Sequence, residues 1–151
     1  LDGGKLQMLT RSELKQCQGR RYKLNRNTYG RMPAVKEMVV FETPGGKVVL
    51  EGNFNIDLGN PMPLYLRGQS EAVKELLERH KELHPALGTS RSGQTLLPQR
   101  CTLLGCTFEH PVVCITDRLF RFTTEGLIGL PLFRGRIAVF DFENYYLYMQ
   151  E

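Results

Sequence analysis

The chain has 151 residues, 41% hydrophobic and 24% charged, with a net charge of +4. That length suits one domain that buries about 70% of its unfolded surface, so folding needs neither disulfides nor metal. No apolar run approaches the ~18 residues of a membrane-crossing helix, which excludes that class. The N-terminal residues lack the apolar stretch of a signal peptide, so none is expected.

Charge is unevenly spread. Residues 1–36 hold nine Lys/Arg and two acids, a net of +7, whereas residues 37–151 carry a net of −3. Residues 1–34 therefore read as a basic N-terminal extension and residues 35–151 as the body. Arg20, Arg21, Lys23 and Arg26 are candidate phosphate contacts. Leu6, Met8, Leu9, Leu14, Tyr22, Leu24 and Tyr29 could dock the extension instead. Thr10 with Glu13 three residues later is a capping box for one helical turn, and Gly19 and Gly30 break the segment.

Val35–Glu42 is rich in β-branched residues, and Thr43-Pro44-Gly45-Gly46 is a turn signal. Lys47–Ile56 then alternates, with Val48, Leu50, Gly52, Phe54 and Ile56 on one face. Together these spell a β-hairpin with a four-residue loop. Asp57-Leu58-Gly59-Asn60-Pro61 ends it, and Pro61 and Pro63 make Met62–Leu66 an edge strand at best. Ser70–Leu83 carries Val73, Leu76, Leu77, His80 and Leu83 at helical spacing behind a Ser70 N-cap. Pro85 stops that helix, and residues 88–94 read as a flexible loop. Beyond it the pattern is β again, with strands expected near 101–108, 111–116, 118–123, 134–142 and 144–149. No internal repeat is legible.

Reactive groups are sparse. Cys101, Cys106, His110 and Cys114 have zinc-ligand chemistry, but their spacing and apolar filler argue for buried thiols, and along one strand Cys101 and Cys106 would face opposite sides. With Cys17 these cysteines read as reduced. His80, His84 and His110 join no local signature of nucleophilic catalysis. Gly3-Gly4, Gly45-Gly46, Gly126 and Gly129 read as turn glycines, not phosphate loops. Arg118, Phe120, Arg121 and Phe122, then Phe133, Arg134 and Arg136, interleave basic and aromatic groups, as does Tyr145-Tyr146-x-Tyr148. Such residues can stack bases and track phosphates, or can alternate between core and solvent. The residues give no reason to expect an enzyme, a cofactor, a small-molecule substrate or a membrane partner.

The succession KVVLEGNFNID, TLLGCTFEHPVVCI and GRIAVFDF resembles the small barrel-forming subunit of transcription factor IIIC. The matching positions are Leu103, Leu104, Gly105, Thr107, Pro111, Val112 and Ile115, with Val139, Phe140 and Asp141 closing. The likeness spans roughly residues 37–143 with gaps. Accessory subunits of an alternative clamp loader, of type 2 ribonuclease H and of RNA polymerases I and III show a similar pattern. The resemblance implies a mainly β chain: a single β-barrel of the triple-barrel dimerisation type, with an inserted helix near 70–83. It further implies a non-catalytic nuclear subunit that heterodimerises with a larger protein to scaffold a DNA-acting complex, most directly in RNA polymerase III transcription. Leu103, Leu104, Val112, Val113, Ile115, Val139 and Phe140 would form the partner interface. Arg20, Arg21, Lys23, Arg26, Arg118, Arg121, Arg134 and Arg136 would be the nucleic-acid contacts, through the complex or the basic arm. An independent oligonucleotide-binding barrel is the alternative from another class.

Overall fold

A computed structural model describes residues 5, 7–26, 32–83, 94–117 and 123–150. In chain order the elements are α1 (Arg11–Lys15), β1 (Arg20–Arg26), β2 (Pro33–Thr43), β3 (Gly46–Asp57), β4 (Leu64–Leu66) and α2 (Glu71–Arg79), with a 3-10 turn at Lys81–Leu83. Then come β5 (Gln94–Leu96), β6 (Arg100–Leu103), β7 (Cys106–Glu109), β8 (Val113–Ile115), β9 (Gly126–Gly129), a 3-10 turn at Leu130–Phe133, β10 (Ile137–Asp141) and β11 (Tyr146–Gln150).

The chain is mainly β, and its strands form one mixed sheet in the order β10-β11-β1-β2-β3-β9-β4-β8-β5, with the β6–β7 hairpin attached to β2 through β6. The sheet is open: among the described residues its end strands, β10 and β5, do not pair with each other.

The β2–β3 hairpin is the spine, paired from Ala34↔Asn55 to Thr43↔Gly46. Its loop is two residues, Pro44 and Gly45, rather than four, because Gly46 takes a φ of +123° and lets pairing begin at Thr43. Val48, Leu50, Phe54 and Ile56 are buried as the alternation requires, while Val49 points outward. Helix α2 starts after Ser70, whose Oγ accepts from the Val73 N–H, and Val73 and Leu76 reach the core. It is shorter than the periodicity suggests. His80 leaves helical geometry, and the 3-10 turn carries Leu83 into the core.

Several expectations give way. Residues 20–26 are not part of an extension: β1 lies inside the sheet between β11 and β2, with Tyr22 and Leu24 buried. β4 is not an edge strand. It lies between β8 and β9, with Leu64 and Leu66 fully buried, and the prolines before it stand outside the paired residues. The run 101–108 is two strands, because Leu104 and Gly105 both adopt positive φ (48° and 73°), the geometry of a tight hairpin turn. That turn pairs Leu103 with Cys106 and brings Cys101 and Cys106 to one buried side, not to opposite faces. Gly126 and Gly129 belong to β9 rather than to turns. The expected strand at 118–123 and the loop at 88–94 lie largely outside the described residues, as do Gly3, Gly4, Gly30 and His84.

The pairing of β3 and β4 repeats that of β8 and β9. β4 and β9 pair antiparallel, and each also pairs parallel with the strand that precedes the other, β8 with β4 and β3 with β9. The Thr124 hydroxyl, just before β9, donates to Asn55 Oδ1 of β3 at 2.7 Å in the buried centre of this arrangement.

Candidate functional site

The sequence carries apolar residues down β3 to Ile56, and the chain leaves the sheet at Asp57. Asp57 Oδ1 accepts the Gly59 N–H at 2.9 Å, and the Asp57 carbonyl accepts the Asn60 N–H at 3.1 Å. An aspartate that bonds the backbone two residues on is a common way to make such a turn. The turn folds over the end of β9. Leu130 N–H donates to the Asn60 carbonyl at 2.9 Å, and Gly129 N–H donates to the Pro63 carbonyl at 3.1 Å. Approach is so close that a Cβ on Gly129 would collide with the Met62 and Asn60 carbonyls, and one on Gly126 with the Tyr65 carbonyl. Backbone proximity, not a special φ, demands these two glycines, since Gly129 has a φ of −104°.

A half-buried carboxylate is thereby fixed where two parallel strands end together, Asp57 opposite Gly129. Its second oxygen, Oδ2, has no hydrogen-bond donor among the described residues. Leu58 beside it is 43% exposed. Three residues on, Asn60 is buried; its Oδ1 accepts from the Met62 N–H, while its Nδ2 is a buried donor without a partner among the described residues. One free carboxylate oxygen can accept a proton or a hydrogen bond. Acid and base catalysis together need a second titratable group nearby.

Among the described residues no three His, Cys, Asp or Glu side chains group closely enough to hold a metal ion. Burial pushes the Cys101 thiol up to about 12 and raises that of Cys114. An open depression of about 430 Å³ is lined by Gln18, Gly19, Arg20, Met149 and Gln150, away from the Asp57 turn in sequence and in sheet position.

The residues expected at a partner interface are scattered. Leu103, Leu104, Val113 and Ile115 are buried in the chain's own core, whereas Val112 is 41% exposed. Val139 and Phe140 are half-buried on opposite faces of β10, Phe140 packing towards Phe133 with ring centroids 6.0 Å apart. Arg20, Arg21 and Lys23 are exposed on β1, and Arg134 and Arg136 lie in the turn before β10, where Arg136 Nη1 donates to the Leu132 and Arg134 carbonyls. Arg26 ends β1, and Arg118 and Arg121 lie outside the described residues.

In sequence Asp57 and Gly59 read only as the end of a hairpin, and Gly129 as a turn glycine. Asp-x-Gly after a strongly alternating strand looks like any hairpin terminator. The signal that separates it is distant: a fully apolar Gly-Leu-Ile-Gly strand about 70 residues later, whose last glycine accepts that turn. No family model, curated protein or solved structure matches this chain.

Proposed function

We propose that this chain is one half of a paired-carboxylate hydrolase, in which Asp57 works opposite a second acid supplied by another β unit. The observation that carries the reading is the position of Asp57. A carboxylate whose second oxygen has no donor among the described residues is held at the joint end of two parallel strands, in a turn tied by backbone hydrogen bonds to the end of β9. Two carboxylates sharing one proton are the means by which aspartic proteases work. The ionised one takes a proton from water as that water attacks the amide carbon, and the protonated one gives its proton to the departing nitrogen. Asp57 alone supplies one such group, so the reading requires pairing, and exposed Leu58 is the apolar residue that a pairing face would cover.

The test is cleavage of denatured casein across pH 3–7, with association measured by sedimentation. The expected result is pH-dependent cleavage by the associated form and its loss in Asp57→Asn, with the melting curve preserved. A chain that stays monomeric near 1 mM and cleaves nothing, or an Asp57→Asn variant that cleaves equally well, ends this reading.

A second reading keeps the assembly role without chemistry: a non-catalytic nuclear subunit whose sheet is completed into a triple barrel by a larger partner of a DNA-acting complex, as in transcription factor IIIC. The observation favouring it is the outward apolar surface of the hairpin, where Met38 is 54% and Val49 51% exposed, together with the edges β10 and β5, each paired on one side only among the described residues. Affinity purification that recovers a stoichiometric larger subunit supports it. A self-associating, casein-cleaving chain does not.

A further inference from the structure

The three-stranded part of the sheet, β10-β11-β1, has two faces of different chemistry. Tyr22, Leu24, Leu147 and Met149 point inward and are buried. By the two-residue period the opposite face carries Arg21 and Lys23 from β1, Tyr146 and Tyr148 from β11, and Ile137 and Val139 from β10. Register sets them in rows: Arg21, Tyr148 and Val139 lie side by side, and Lys23 lies next to Tyr146. The two tyrosine rings are 6.4 Å apart between centroids, and the Arg21 guanidinium carbon lies 4.6 Å from the Tyr146 centroid.

Charge on this face is one-sided. No carboxylate lies within ion-pair distance of Arg21 or Lys23 among the described residues. Asp141, beside Tyr146, is turned to its own loop, where the Glu143 and Asn144 N–H groups and the Asn144 amide occupy it. Glu143 is engaged by Arg11.

We propose that this face binds single-stranded nucleic acid, with bases stacking on Tyr148 and Tyr146 and phosphates meeting Arg21 and Lys23. Successive aromatic rings in a basic surface form the sequence-tolerant platform that single strands use. A duplex hides its base faces, and an acidic peptide would engage the two cations while leaving the ring faces unused. Contacts are to base faces and phosphates, so ribose and deoxyribose strands should bind alike. The inference is independent of Asp57 chemistry.

The experiment is fluorescence anisotropy of the full chain with a labelled oligothymidylate of about 12 nucleotides, repeated with oligouridylate. We expect a saturable signal. Tyr148→Ala should raise Kd about tenfold and Tyr148→Phe should leave it unchanged. Lys23→Ala should lower the slope of log affinity against log salt by about 0.7. Asp57→Asn should bind like the parent, so failure of the catalytic reading leaves this one standing. Circular dichroism and melting curves of each variant check the fold. The proposal is overturned by an absence of binding at about 100 µM protein in low salt, a concentration at which even weak charge-driven association registers. It is equally overturned if Tyr148→Ala binds like the parent, or if a polyglutamate peptide displaces the oligonucleotide from parent and Tyr148→Ala alike.

Discussion

Asp57 and Gly129 are partners in the parallel register of β3 and β9, and the turn that begins at Asp57 passes directly over Gly129. A methyl group at Gly129 would meet the Met62 and Asn60 backbone carbonyls of that turn, and backbone cannot rotate aside as a side chain can. Gly129→Ala should therefore cost about 3 kcal/mol, read as a lower denaturant midpoint. It should also displace the Asp57 turn and impair any activity that depends on it.

Two neighbouring residues expected at one interface should respond differently. Ile115 is buried on β8 between β4 and β5, so Ile115→Asp places an unpaired charge in the core and should prevent folding. Val112 is exposed, and Val112→Asp should shift the chemical-denaturation midpoint by less than the equivalent of about 0.5 kcal/mol. Equal loss of folding in both variants would contradict this placement.

Thr124 and Asn55 share a buried hydrogen bond that ties β3 to the start of β9. Thr124→Val keeps the shape and leaves the Asn55 oxygen short of that donor. The expected cost is about 1–3 kcal/mol in equilibrium unfolding.

Asp141 provides a pH dependence. Burial opposes its charged form, but hydrogen bonds from the Asn144 N–H, the Asn144 amide and the Glu143 N–H outweigh burial and hold its pKa below the usual aspartate value. A depressed folded pKa means that the stabilisation is fully present above the unfolded value near 3.9 and is lost as pH falls through the lower folded value. Asp141→Ala should therefore destabilise the chain at pH 7, and its difference from the parent should shrink below about pH 4 in melts.

Thiol reactivity should follow burial. Cys101 and Cys106 are buried and Cys101 is raised to about 12, so both should resist Ellman's reagent at about pH 8 until the chain unfolds, while half-buried Cys17 reacts first. Immediate modification of all four cysteines in the native protein would show that the β6–β7 hairpin opens readily.

Alternation over Lys47–Ile56 and the helical spacing of Val73, Leu76 and Leu77 were enough to read the hairpin and α2, because each buries one face and leaves the other wet. The same logic hid the rest. All four residues of β9 are buried, as expected of a strand with a parallel neighbour, so it carries no alternation. β4 is three residues long between turn residues and has no period to read. β1 looked like an extension because its outward side chains are Arg21, Lys23 and Asn25, while its inward pair, Tyr22 and Leu24, is too short a pattern to stand out.

Local composition determined strand content, the hairpin, the helix and the basic bias of the first 36 residues, since these depend on neighbours within a few positions. Tertiary structure alone decided that β1 is an interior strand and that Asp57 meets Gly129 across 72 positions. It alone also set Arg21 beside Tyr148 across the β1–β11 pair. Such meetings depend on strand order and register, which follow from how the whole apolar surface is buried at once, and no short window of sequence contains that information.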